Sequence, residues 1–471
     1  GMNTVAGYWP GSSNTEDAVE YLKLVDEAKL YGVMPFDKRL KGHPSLLAYI
    51  HEDEPDLPRR TSDAEVVPGE SLKLNSSTPL WRLVDGVTHS WSVLDPLQGA
   101  SVTIRVPKPV TVRKLGIWLT VSSGLAVAKE VSFMADGKEI LRATLEAKKG
   151  RQTLRLDEPV TLKSLTLTVR STYPGKHEWG SISEIEGYNE QGENVLVAPP
   201  RYVPRSEPRE TLCHYRTITA ADRTRPVFLT LTGHFHPHFD KWPQTRRREL
   251  YPRYLQAADV VGYDIYPIYG WNKPEWIHLV YDATQLLTSM AGDRPVYAWI
   301  ETSKGGQYTG PLERQKEVTP KHIQAEVWMA ICGGATAIGY FTHVWKPEYK
   351  QFGVPEKNRK ALREINDQLT RLAPAILDKP ADRTVTIRSD RAGEAVKLAV
   401  LAKRHEGELW VFAVNYDEKP RRTQAVISVE ELAAEQAITV IDEERTIRSE
   451  SGGFRDVFEP LDVHLYRLKP E

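Results

Sequence analysis

The chain has 471 residues, 40% apolar and 27% charged, the composition of a globular protein with a large core. Its 62 basic residues balance 63 acidic ones at a net charge of −1, which excludes a nucleic-acid or anionic-membrane surface as the main business. No run approaches the roughly 18 apolar residues of a bilayer span, the start GMNTVAGYWPG has no signal-peptide pattern, and Gly1 before Met2 reads as a remnant of tag removal. Cys213 and Cys332 each fall in a predicted helix, and two cysteines make neither a disulfide framework nor a zinc site.

The first strand is predicted at NTVAGYW. A helix follows over TEDAVEYLKLVDEAKLY, where Val19, Leu22 and Val25 recur at helical spacing. Asn14 or Thr15 would cap its start and Gly32 would stop it. GVMPFD and SLLAYI continue as strands, so the opening is βαβ. SLLAYI then runs into HEDEPD, where Glu52, Asp53, Glu54 and Asp56 crowd around a proline. A solvated turn would explain them; so would a catalytic carboxylate held on a rigid strand end.

From about residue 61 to 200 the character changes. SVTIRV, VTVRKLGIWLTV, KEVSFMAD, QTLRLD and VTLKSLTLTVRS are short alternating β-branched segments between turns, the pattern of an antiparallel sandwich. After the Pro-rich VAPPRYVPRSEP, helix and strand alternate again. PRETLCHYRTITAAD and PKHIQAEVWMAICGG are helical, and PVFLTLTG, DVVGYDIYPI, PVYAWIETS and TAIGYFTH are strands. From about 376 the chain is strand-rich, with a hairpin of VKLAVLAKR and ELWVFAVNY turning at Glu406–Gly407.

The economical reading is α/β: a (β/α) barrel in two pieces, 2–60 and 201–375, with a sandwich inserted at 61–200 and a β-sandwich domain at 376–471. A doubly wound sheet is the competing architecture. Polar residues recur at the C-terminal strand ends, namely Glu54, His234 and His236, Asp264 and Tyr266, Glu301 and His343. That is where a barrel carries its chemistry.

The phrases HPSLLAYIHEDEPD, ADVVGYDIYPI, VYAWIET and AICGGATAIGYFTH resemble the retaining (β/α)8-barrel glycoside hydrolases over both barrel stretches. In that superfamily an acid/base Glu follows the fourth strand and a nucleophile Glu ends the seventh. The strands read here number seven, so the match requires the first to be strand two, with the first βα unit missing. The resemblance then implies Glu54 as acid/base and Glu301 as nucleophile, about 5–5.5 Å apart as retention requires. Asp53 stands where the family usually has Asn. A missing strand leaves edges that are left open, paired directly with each other, or covered by another copy, so an oligomer is expected if the gap is covered.

Tyr266 is a candidate to orient the nucleophile. Trp242, Trp271, Trp299 and Trp345 lie near strand ends and could stack on sugar rings, although any one Trp is more often simply core. His234, His236 and His238, spaced by two, would share one face of a strand. A metal there is conceivable, but no carboxylate or cysteine joins them locally, so sugar contacts rank above it. Asp53, Asp264 and His343 complete the substrate-binding set.

In the insert, LVDGVTHSWSVLD and GSISEIEGYNEQGE resemble the discoidin-type, galactose-binding-like sandwich, with an Asp-Gly turn and a buried Trp near its start. That resemblance implies a sugar or a structural calcium; a ligand-free spacer is the plain alternative. The expected function is hydrolysis of a glycosidic bond in a polysaccharide or glycoconjugate, with a carbohydrate as partner and no nucleic acid or membrane. The alternative is an inactive carbohydrate-binding or scaffold protein on the same barrel. The glycosidase resemblance implies an extracytoplasmic location.

Overall fold

Seven apolar runs form one parallel sheet whose strands lie side by side in chain order: β1 (Thr4–Ala6), β2 (Tyr31–Pro35), β3 (Leu46–Ile50), β4 (Val227–Thr232), β5 (Val260–Asp264), β6 (Val296–Glu301) and β7 (Ala337–Phe341). These are the strands expected from the sequence, in a computed structural model that describes residues 2–6, 17–390, 395–419 and 421–469. Gly1, Tyr8, Trp9 and the expected caps Asn14 and Thr15 lie outside the described residues. Helix α1 (Ala18–Glu27) is capped instead by Asp17, whose carboxylate accepts from Val19 N at 2.7 Å. Gly32 is not its stop: the helix ends at Ala28, and Gly32 already belongs to β2.

The chain divides into two compact units, 1–58 with 204–471, and 59–203. In the first unit, β4 to β6 alternate strictly. Leu229, Leu231, Val261, Tyr263, Val296, Ala298 and Ile300 enter one core with α3 (Gln244–Leu255), α4 (Leu279–Ala291) and α5 (Pro320–Cys332), while Tyr297 and Trp299 fill the opposite, concave face. Two glycines make room for those rings. A Cβ on Gly262 would stand 2.3 Å from the Tyr297 ring, and one on Gly339 would stand 2.4 Å from the Trp299 ring.

Among the described residues β7 and β1 do not pair, although both line one cavity on the concave side. Among the described residues the sheet is therefore a curled, open half-barrel, with no pairing between Thr4–Ala6 and Ala337–Phe341; residues 7–9 of the first run lie outside them.

The helix α2 (Pro208–Ala221) carries Cys213, α5 carries Cys332, and both thiols are free. The expected hairpin after α6 (Glu356–Ile376) joins Leu398–His405 to Glu408–Asn415 through Glu406 and Gly407, both at positive φ, as a two-residue turn with the matching twist requires. The C-terminal strands form a six-stranded and a three-stranded sheet with their own core. They are no separate body, because Phe412, Val414 and Leu465 pack into the same core as α5. No described helix is long and apolar enough to cross a membrane.

The 59–203 unit is antiparallel throughout. Its two longest strands, Ser101–Leu119 and Gly150–Tyr173, pair along their length through register shifts. One end of the pair is flanked by Gly180–Tyr188 and the other by Val127–Ala135, and both flanks meet in one core. Bulged strands that pass between layers make a sandwich of this kind. The segments that enter and leave it, Pro58–Thr61 and Arg201–Pro204, pair with each other.

Candidate active site at the ends of β3, β5 and β6

β3 ends in a tight turn in which Glu54 adopts φ 50°, a left-handed conformation that a glutamate takes only when its surroundings impose it. Asp56 imposes it here. Its fully buried carboxylate accepts from Thr232 N (2.8 Å), Thr232 Oγ1 (2.6 Å) and Tyr251 Oη (2.9 Å), which ties the turn to β4 and α3. Burial, only partly offset by these bonds, pushes Asp56 up to about 6.

The Glu54 side chain is 22% exposed and meets a guanidinium and a second carboxyl. Arg205 Nη2 lies 3.3 Å from Glu54 Oε2, and Arg205 Nη1 donates to the Asp53 carbonyl. Asp264, at the end of β5, shares a hydrogen bond with the Glu54 carboxyl. Burial raises Glu54, while the Asp264 bond and the Arg205 charge pull it back. Asp264 is raised much further, by burial and then by the charges of Glu54 and Asp53, and its Oδ1 has no hydrogen-bond partner. A proton shared by the pair therefore rests mainly on Asp264. Asp53 is open to solvent yet ringed by protein, the mark of a group on a concave floor. That enclosure, then the Glu54 charge, pushes it up to about 6.

Glu301 ends β6 in a different setting. It has no solvent exposure, and its carboxylate accepts from Ile268 N (2.9 and 3.1 Å) and Tyr269 N (2.5 Å). Its remaining partner is Glu326, equally buried inside α5. Burial pushes Glu301 up to about 7 against these bonds and drives Glu326 far higher. The expected arrangement, Glu54 and Glu301 facing each other in an open cleft, is thus replaced by two pairs: Glu54 with Asp264, and Glu301 with Glu326. Glu301 is turned toward the helix layer because two backbone amides and a proton-bearing partner wait there. Tyr266 stands between the pairs and feels Asp264, Asp53, Glu54 and Glu301 together, after burial, in a hydroxyl raised well above 10.

An aromatic row leads outward from Tyr266. Its ring lies 4.7 Å from Phe341, Phe341 lies 5.2 Å from His343, and His343 Nδ1 bonds Tyr349 Oη at 2.9 Å. Trp345 packs on Tyr349 at 4.8 Å and is 42% exposed. Trp271 is also exposed, against Phe239 at 5.2 Å. Trp299 does not reach the mouth. It lies on the concave face with Nε1 at 3.4 Å from Thr230 Oγ1, and Trp242 is buried core.

The histidines are not aligned on a strand. His234 belongs to the short helical turn Gly233–Phe235, with Nδ1 on Thr232 Oγ1 at 3.0 Å, and burial pushes it down to about 4. His236 accepts from His238 N, and His238 packs on Trp276. No group of three or more His, Cys, Asp or Glu among the described residues is placed to hold a metal.

Arg205 and Glu326 escaped the sequence reading. Arg205 sits in a Pro-rich stretch that reads as linker. Glu326 left a signal, as the lone acid in the apolar run AEVWMAIC.

In the 59–203 unit, the calcium implied by resemblance does not fit. Asp85 is already taken by Arg60 Nη2 (2.8 Å), Ser90 Oγ (2.9 Å) and Val87 N (2.8 Å), and Glu184 Oε1 accepts from Gly86 N at 2.8 Å. A guanidinium, not a metal, neutralises this corner. Trp91, expected to be buried, is 45% exposed.

No family model matches the chain, and no curated protein matches it. Solved structures similar to part of it include family 32 carbohydrate-binding modules. The family 32 module of Clostridium perfringens NanJ, solved with galactose, is 16% identical over 27% of this chain and 97% of its own, at TM-score 0.23. The family 32 module of Streptococcus pneumoniae EndoD is 20% identical over 28% of this chain and 100% of its own, also at TM-score 0.23. The module of AlyQ, solved with 4,5-unsaturated mannuronic acid, is 13% identical over 27% of this chain and 95% of its own, at TM-score 0.22.

Proposed function

We propose that the protein is a glycoside hydrolase whose acid/base is Glu54, working from the carboxyl cluster at the ends of β3 and β5. The observation that supports this reading is the Glu54–Asp264 pair, two mutually perturbing carboxyls raised by burial beside the solvent-open Asp53. Acid catalysis of glycoside cleavage needs a carboxyl kept protonated near neutrality, and burial with a second carboxyl supplies one. Asp264 holds the proton, and Glu54, the more exposed of the two, passes it to the leaving oxygen.

The second carboxylate of the reaction is Glu301, whose charged form the Ile268 and Tyr269 amides favour against the burial that lifts it to about 7, while Glu326 keeps its proton. Attack on an anomeric carbon requires the Glu301 side chain to swing from Glu326 toward Tyr266. The exposed Trp345 and Tyr349 would stack on sugar rings on the way in.

The alternative, a carbohydrate-binding protein without catalysis, is favoured by one observation: Glu301 is sealed from solvent. Hydrolysis of a panel of 4-nitrophenyl glycosides and polysaccharides separates the two. Catalysis predicts turnover that Glu54→Gln lowers about 10²- to 10⁴-fold on poor leaving groups and much less on 2,4-dinitrophenyl glycosides, which need no proton. Calorimetric sugar binding without turnover on any substrate establishes the alternative.

A further inference from the structure

β3 runs into the turn that carries Glu54 through His51, a buried histidine 6% exposed. Its Nε2 lies 2.7 Å from the Ala257 carbonyl, in the loop between α3 and β5. Its Nδ1 lies 3.0 Å from Nδ1 of His214 on α2. A carbonyl only accepts, so His51 Nε2 carries the hydrogen. Nδ1 of the neutral ring is then an acceptor, and His214 Nδ1 must donate to it. One backbone oxygen thus fixes the tautomers of both rings.

The charged groups around the pair fall on two elements. Glu52, the next residue of the turn, favours the charged form of His214 against its burial. Asp259, just beyond Ala257, is already taken: it accepts from Tyr215 Oη (2.8 Å) and Val227 N (2.9 Å). A proton added to His214 Nε2 leaves the bond between the rings intact. One added to His51 Nδ1 sets two N–H groups head to head at 3.0 Å, and the bond must open.

We propose that the His51–His214 bond is an acid-sensitive latch: protonation of His51 breaks it and frees the turn 52–57, Glu54 included. The turn is held at two points, by His51 where it begins and by Asp56 where it ends. Between them Glu54 sits at a positive φ that relaxes once either anchor is lost. The latch acts on the shape of the turn, whatever reaction Glu54 serves. Burial, against the Ala257 bond, pushes His51 down to about 4, while in the open form it titrates near the ordinary 6.5. The open form binds the proton more tightly, so it gains as the pH falls between those two values and gains no further below them.

The test follows the Leu57 and Ser206 amides, which donate to the Glu54 and Pro55 carbonyls, by hydrogen exchange in the full chain from pH 7 to 4. Buried carboxyls elsewhere act in the opposite sense on global stability, so the readout is confined to the turn. Relative to intrinsic exchange rates, protection at both amides is expected to fall by about tenfold per pH unit below about 6.5 and to recover on return to neutrality. In His51→Gln, which can still donate to Ala257 and accept from His214 but takes no proton, protection is expected to stay level. Histidine ¹⁵N NMR of the unaltered chain is an independent measure, expected to show His51 Nδ1 without hydrogen at pH 7 and the ring neutral until about pH 4. Three results overturn the proposal. These are protection that does not change with pH, a loss that persists in His51→Gln (the carboxyls of Asp53, Glu54 and Asp56 as its cause), or a His51 that titrates near 6.5 in the folded chain.

Discussion

Glu301 and Glu326 face each other without solvent, one closing β6 and the other in the middle of α5, and Glu301 has the Ile268 and Tyr269 amides to stabilise a charge. The pair therefore stays singly protonated far above the pH at which free glutamates ionise. The folded chain binds protons that the unfolded chain releases above about pH 4.3, so this contribution to stability is complete below that pH and falls as the pH rises, through about 7 for Glu301 and beyond it for Glu326. Denaturant unfolding from pH 5 to 8 is expected to show a falling stability that Glu326→Gln flattens. Glu301→Gln, which leaves amides poorly met, is expected to cost about 1–3 kcal/mol at every pH.

Arg205 provides a separate handle on the acid. Its charge holds the Glu54 carboxyl down, so Arg205→Gln lets the pKa rise. The alkaline limb of kcat/KM, set by loss of the acid's proton, is then expected to move to higher pH. A limb that stays in place separates Arg205 from the acid.

Asp56 is expected to matter without touching substrate. Asp56→Ala strands Thr232 N and Tyr251 Oη in the core and should cost about 2–4 kcal/mol, more than either Thr232→Val or Tyr251→Phe alone. Because Asp56 fixes the turn that carries Glu54, activity should fall more steeply than stability, read as lower kcat in protein that is still folded at the assay temperature.

Gly262 and Tyr297 form a coupled pair. Gly262→Ala drives a methyl into the tyrosine ring and is expected to cost about 1–3 kcal/mol. Tyr297→Leu in the same chain should recover part of that loss, and a double-mutant cycle measures the coupling.

In the 59–203 unit, addition of calcium or EDTA is expected to leave the melting temperature unchanged, because Arg60 already neutralises Asp85. Arg60→Gln should lower it, since the buried Asp85 carboxylate would lose the guanidinium that ion-pairs with it at 2.8 Å.

Much of the fold was legible because it rests on local patterns. All seven parallel strands are short apolar runs, the hairpin turn sits where two positive φ values need Glu406–Gly407, and the insert announces itself by a change of period from helical to alternating. The carboxyl cluster around Glu54 was readable from HEDEP itself. The destination of Glu301 was not. Its partners, Ile268, Tyr269 and Glu326, come from two other segments, and strand-end position says nothing about which way a terminal carboxylate turns. His234, His236 and His238 misled for a related reason: period two implies one face only if the chain stays extended, and here β4 has already ended in a helical turn.

The mutual pairing of Pro58–Thr61 with Arg201–Pro204 makes the long insertion topologically equivalent to a hairpin loop. Whatever lies beyond the stem, its two ends leave side by side, and the entropy of closing a loop grows only with the logarithm of its length. The half-barrel is thus indifferent to the size of what it carries at this point. A tight turn of a few residues could close the same stem, and an exchange of the entire sandwich for another domain with adjacent termini would leave β3 and α2 where they are. Such a stem is a port: evolution, or a protein engineer, can change the cargo without renegotiating the host.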